Sequence, residues 1–222
     1  MSKLVWDKTS EKQYETGVEQ VALYVQDDKG AYPKGVAWNG CTAFNLNPSG
    51  AEPTPLYANN RKYMTLMSAE ETGGTIEAYM YPDEFAECDG SKTIAPGVFI
   101  GQQTRKTFGL CVKTLIGNDV EFNKHGYKLH LIYGALASVS EKAYGTVNDS
   151  PEVEPFSWEF TTTPVEVEGF EPTAYICIDS TKVDATKLKA LEAILYGTEE
   201  AEAHLPLPAE VLATIGTTQA AG

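Results

Sequence analysis

The sequence has no apolar run approaching the ~20 residues a helix needs to cross a bilayer, so a membrane-spanning chain is not expected. No apolar stretch precedes the first acids of its opening MSKLVWDKTSEKQYE, so no secretory signal is expected either. Basic side chains are scarce: 17 Lys and Arg stand against 31 Asp and Glu, a formal net charge of −14. Broad electrostatic attraction to nucleic acid or to an anionic lipid surface is therefore disfavoured. Cysteine occurs only as Cys41, Cys88, Cys111 and Cys177, with no C-x-x-C and no Cys/His grouping at metal-ligand spacing. Cys111 and Cys177 fall in apolar strand-like runs and read as buried thiols. With no export signal, all four are expected to be reduced.

Catalytic signatures are missing as well: there is no glycine-rich phosphate loop, no G-x-S-x-G and no H-E-x-x-H. Of the three histidines, His125, His130 and His204, only the first two are close in sequence. His130 reads as lying on the polar face of a strand and His125 in a turn, which argues against a metal pair. Asn118, Asp119, Glu121 and Asn123 are oxygen-rich but lack the order of a calcium loop, and read as a polar turn. Asp27-Asp28-Lys29-Gly30 reads as a hairpin turn in the same way. Paired carboxylates mean nothing by themselves among 31 acids. No enzyme activity, cofactor or metal is expected.

What the chain does have is a globular composition. It has 222 residues, 42% of them hydrophobic and 10% aromatic, enough for a single domain with a sizeable core. Its charge is uneven. Residues 1–150 hold 14 basic and 18 acidic side chains, a net of −4, whereas residues 151–222 hold 3 and 13, a net of −10. These late acids are either a solvated surface or, in part, the lining of a passage through which a polyanion moves without sticking.

The pattern is mostly that of strands. Residues 18–25 (VEQVALYV) place Val21, Leu23 and Val25 on one face, and a second strand over 36–46 is broken by the turn signal Asn39-Gly40. A proline-rich connection over 47–60 is expected to be either an exposed disordered loop or one built to contact something else. Further strands are expected over 63–68, 75–81, 98–102, 107–116, 127–135, 156–162 and 173–179, with a helical turn at 83–88. In 127–135, Tyr127, Leu129, Leu131 and Tyr133 share a face opposite Lys128 and His130. In 156–162, Phe156, Trp158 and Phe160 face in. A capping box Thr181-x-x-Asp184 opens one helix over 184–197, with Leu188, Leu191, Ile194 and Leu195 as its apolar stripe and Gly197 as its stop. A weaker helical stretch covers 209–215, and the closing GTTQAAG reads as frayed. The expected fold is mainly β, an antiparallel sandwich or barrel with one flanking α-helix.

Several segments taken together resemble the major tail proteins, or tail tube proteins, of long-tailed bacteriophages, a family common in phages and prophages of Gram-positive hosts. They are YETGV at 14–18 with VALYV at 21–25, AYPKGVAWNG at 31–40, PSGAEPTPLY at 48–57, TIEAY at 75–79 through YPDEFAECDG at 81–90, IGQQTRKTFGL at 100–110, YKLHLIYG at 127–134, and IDSTKVD at 178–184. The resemblance spans residues 6–210.

It implies a structural virion protein whose hexameric rings stack into a tube for DNA passage, assembled in the host cytoplasm with tape measure, tail terminator and distal tail proteins as partners. It also implies non-sticky contact with transiting DNA, for which the strand acids Glu77 and Glu159 are the candidate lumen-facing residues; Lys128 would oppose that role if it shared the wall. Contacts between subunits are implied for the arm at 2–14, the connection at 47–60 and the segment after Gly197, with Trp6, Tyr14, Pro53, Pro55, Leu56 and Tyr57 as candidates. The closing residues resemble no extra domain, so no external decoration module is expected. Two alternatives stay open: a β-sandwich carbohydrate-binding module using Tyr57, Tyr79 or Tyr81, and the tube of a tail-derived bacteriocin.

Overall fold

Alternating apolar residues over 127–135 and the inward aromatics at 156, 158 and 160 build the two strands around which the molecule is organised. The computed structural model describes residues 3–146, 149 and 153–216; Ser2, Glu152 and most of the frayed tail lie outside the described residues. The strands are β1 (Gln13–Val25), β2 (Gly35–Ala37), β3 (Cys41–Leu46), β4 (Ser49–Gly50), β5 (Thr54–Ala58), β6 (Arg61–Leu66), β7 (Glu70–Glu71), β8 (Gly73–Ala78), β9 (Lys92–Ala95), β10 (Val98–Ile100), β11 (Phe108–Asn118), β12 (Phe122–Ala137), β13 (Phe156–Thr162) and β14 (Tyr175–Asp179). The helices are α1 (Ala185–Tyr196) and α2 (Pro208–Ile215), and a 3-10 turn spans Asp83–Glu87. With 44% strand and 12% helix the fold is mainly β and antiparallel.

One sheet runs in the order β2-β1-β11-β12-β13-β8-β3, with β14 also paired to β12. The long strand β12 forks. Its residues Lys128 to Ile132 pair with β14, and Ala135 to Ala137 pair with β13. Gly134 sits at the fork with φ +61°, and a Cβ there would run into the carbonyl oxygen of Thr163, so only glycine lets the strand turn from one partner to the other. At the other end, the break at Asn39-Gly40 carries the chain from β2, paired with β1, to β3, paired with β8. The two ends of the sheet therefore meet, and it folds over itself around a core.

Over residues 21–24 of β1, 108–112 of β11 and 129–135 of β12 the strands are buried on both faces. One face, with Leu23, Leu110, Val112 and Ile132, packs against Ile76, Trp158 and Phe160 of the folded-over half. Trp158 is the hub, with ring centroids 5.4 Å from Phe85, 5.5 Å from Tyr81 and 5.6 Å from Trp38. The opposite face, with Cys111, Leu129 and Leu131, packs against Leu188, Leu191 and Leu195 of α1 and Val211 of α2. Three tyrosines pin that layer: Tyr24 donates to the Leu195 carbonyl (2.7 Å), Tyr127 to Glu192 (2.8 Å) and Tyr133 to the Pro206 carbonyl (2.9 Å).

The structure refines the expectations in particular places. The helix cap is Asp184 alone, whose carboxylate accepts from the amides of Thr186 (3.0 Å) and Lys187 (3.1 Å), while Thr181 is turned away to donate to Asp179. The segment at 47–60 is not a loop. It is the outgoing limb of a two-stranded ribbon in which β4 pairs with β7 and β5 with β6. Asn59 and Asn60 turn the ribbon with φ of 51° and 59°, the left-handed pair of a type I′ hairpin. The arm ends earlier than expected, because Gln13 and Tyr14 already pair with β11. Cys177 is exposed rather than buried, since Ile176 and Ile178 take the helix-facing positions and the pleat points residue 177 the other way. Cys111 is buried as expected, and burial pushes its thiol and those of Cys41 and Cys88 up to about 12. Beyond Ala78 the alternation of β8 breaks, which leaves Met80 exposed and turns Tyr81 towards Trp158.

Candidate functional site

Three arrangements gather the residues with chemical or binding potential. The first is a polar network on the face of β12 opposite the helices. Lys128 pairs with Glu15 at 2.5 Å, and Thr114 donates its hydroxyl to the same carboxylate at 2.7 Å. With that proton committed, the 2.8 Å contact between Thr114 and His130 requires the ring Nε2–H to donate, which leaves Nδ1 to accept from the Tyr175 hydroxyl at 2.7 Å. Burial lowers the imidazole's affinity for a proton, against the pull of Glu15, so His130 is held in this neutral tautomer. Glu15 loses some affinity for its proton too: its partial burial is outweighed by the bonds from Lys128 and Thr114. Both imidazole nitrogens are consumed within the protein, so the network braces the start of β1 and offers no free base.

His125 and His130 are five residues apart on one strand, an odd spacing that places them on opposite faces. His125 bonds Glu121 at 2.6 Å and Asn118 at 3.1 Å. The Asn118 side-chain oxygen accepts from the amides of Val120 and Glu121, and Asp119 accepts from the Ser10 amide at 2.9 Å. These oxygens close the hairpin tip between β11 and β12 and hold the arm against it. Among the described residues no group of three or more His, Cys, Asp or Glu is set to hold a metal ion.

The second arrangement is the outer face of β3, β8 and β13. Register places Ser157 opposite Glu77 and Glu159 opposite Thr75, with Asn45 beside Thr75. Asn45 donates to the Thr75 hydroxyl at 3.1 Å. Glu77 and Glu159 thus share one face, among hydroxyl and amide side chains, and the three strands carry no Lys or Arg. Lys128 belongs to a different sheet face and is neutralised by Glu15.

The third is the ribbon. Every residue of β5 and β6 is exposed. Leu56 lies opposite Met64, and Thr54 opposite Leu66, so Leu56, Met64 and Leu66 form an apolar stripe on one side. Tyr57, Tyr63 and Met67 are about 70% exposed. Pro53 and Pro55 accompany them on the outgoing limb, where a ribbon with two free edges tolerates proline. A second exposed hairpin, β9 with β10, carries Ile94, Val98 and Phe99.

Of the other candidates, Trp6 is 75% exposed on the arm beside Leu4 and Val5. Tyr14 is committed within the chain, donating to Asn123 at 2.8 Å with its ring over Gly117. Tyr81 is packed among Phe85, Phe156 and Trp158 with Lys142 over its ring. Tyr57 lies on β5 of the ribbon, Tyr79 just after β8, and Tyr81 is packed into the core, so the three do not form one sugar-binding platform. The Glu15–His130 network had no signal in the sequence, because its members are as far apart as residues 15 and 175. Comparison with protein-family models and with curated proteins returns no match.

Proposed function

We propose that this protein is a self-assembling structural subunit, a tail tube protein whose rings stack around a channel for DNA. The ribbon carries the reading. A two-stranded hairpin is marginal in water by itself, yet this one extends from the body with Leu56, Tyr57, Tyr63, Met64, Leu66 and Met67 uncovered. Exposed apolar area of that kind marks a surface covered in an assembly.

The face of β3, β8 and β13 fits the channel role. Glu77 and Glu159, with Asn45, Thr75 and Ser157 around them and no basic side chain on the three strands, would repel a phosphate backbone rather than grip it. Much of the remaining acidity lies elsewhere. Glu166, Glu168 and Glu171 fall between β13 and β14, and Glu199, Glu200 and Glu202 follow α1, so neither group belongs to those three strands.

Electron microscopy of the purified protein at rising concentration tests the reading; rings or tubes are expected. A protein that stayed monomeric at high concentration and never joined other tail proteins would overturn it. Binding on a glycan array, with no polymer seen, would favour the carbohydrate-binding alternative. Packaged DNA in the native particle separates a phage tail from a bacteriocin tube.

A further inference from the structure

Beside β2 lies an open groove of about 650 Å³ whose apolar walls include Val18, Val21, Val36 and Leu195. It exists because β1 loses register twice, between Thr16 and Glu19 and again between Glu19 and Ala22. Gly17 (φ 72°) and Gln20 (φ 49°) bend the strand there, and the three-residue β2 covers β1 only from Ala22 to Tyr24. At one end the groove shares Tyr196 and Ala203 with a shallower depression formed by residues 196–203. Glu199, Glu200 and Glu202 stand exposed on that loop, and among the described residues none has a basic partner. Glu19, at the β1 side, is already paired with Lys113 at 3.3 Å.

The ribbon has the complementary character. Its two inner strands and their turn, residues 54–66, carry Arg61 and Lys62 and no acid. Both cations are exposed, sit just past the turn, and have no carboxylate partner among the described residues. Beside them are the uncovered Tyr57, Tyr63 and Met64. In a chain of net charge −14, a local basic tip with apolar flanks is the one type of surface that an acidic-rimmed apolar groove on an identical copy would not repel.

We infer that the ribbon tip of one copy docks in the β1–β2 groove of the next, with Arg61 and Lys62 against Glu199, Glu200 and Glu202. This inference rests on the self-assembly reading and names the surface that receives the ribbon. Ribbon and groove are different patches, so the contact is head-to-tail. Repeated in one direction from copy to copy, it propagates into a ring or a filament.

Charge reversal tests it. Arg61→Glu with Lys62→Glu makes both patches acidic, and Glu199→Lys with Glu200→Lys and Glu202→Lys makes both basic. Each variant alone is expected to lose at least tenfold in polymer measured by sedimentation, with an unchanged thermal melt because the altered side chains are exposed. Mixed in equal amounts, the two are expected to co-assemble in alternation, since each then meets its opposite. If the wild type forms no polymer, the self-assembly reading falls and this inference with it. If the wild type polymerises and either reversed variant does so equally well, or if the mixture fails to recover, the docking is overturned while self-assembly stands.

Discussion

The strand pair β11–β12 and the ribbon of β4 to β7 are both antiparallel hairpins rich in apolar and aromatic residues, and they end in opposite surroundings. In the first, residues such as Leu110 and Leu131 are fully buried, because a folded-over sheet covers one face and two helices the other. In the second, apolar residues of the same kinds are left in water on both faces. Apolar composition makes a strand pair sticky without deciding what it sticks to. Within this chain the first pair finds its partners, and the second finds none among the described residues. That difference is the physical ground for reading the molecule as one part of an assembly.

The comparison breaks most directly by truncation. Trp158→Ala should cost about 3–5 kcal/mol of stability in denaturant unfolding, since the ring is the hub of the inner core. Tyr57→Ser with Met64→Ser should leave the monomer within about 0.5 kcal/mol while abolishing polymer in sedimentation. If the ribbon change lowered the melting temperature as much as the core change, the ribbon would be part of the body and the contrast would be lost. Gly134→Ala comes next. With φ +61° and the Thr163 carbonyl in the way, about 2–4 kcal/mol should be lost, as the fork of β12 must shift. Replacing the helix cap, Asp184→Ala, should cost about 1 kcal/mol in the same assay, because two amides lose their acceptor at an exposed helix end.

The smallest expected effect concerns pH. Burial lowers the proton affinity of His130 from its ordinary 6.5, so below that pH the unfolded chain takes up a proton more readily than the folded one. Its contribution to stability is therefore complete above pH 6.5 and declines as the pH falls through that value. His130→Gln can keep the bonds to Thr114 and Tyr175, and melting temperatures between pH 7 and 5 should fall less steeply in this variant than in the wild type. Equal slopes would remove His130 as the titrating group.

Where side-chain periodicity is strong, the sequence could be read directly. The inward aromatics of β13, the two faces of β12 and the leucine stripe of α1 lie where alternation and helical spacing put them. The ribbon was half legible. Its return limb shows as a strand at 63–68, whereas the prolines of the outgoing limb disguise it as a loop, because proline disfavours a central strand and not a free-edged ribbon. Cys177 was misread for a related reason: an apolar run around a residue does not say which side of the pleat it occupies. Glu77 and Glu159 were legible as outward acids, but not as neighbours on one face, since that depends on the register between β8 and β13.

By itself, then, the sequence determined a mainly β antiparallel chain with a capped helix, an acidic balance and a set of apolar residues to be covered, because these follow from composition and from periods of 2 and 3.6. Only the tertiary structure decided which apolar residues the chain covers itself and which it leaves exposed. Burial is a relation between segments far apart in sequence, and the fork at Gly134, the break at Asn39-Gly40 and the free-standing ribbon are where that relation is set.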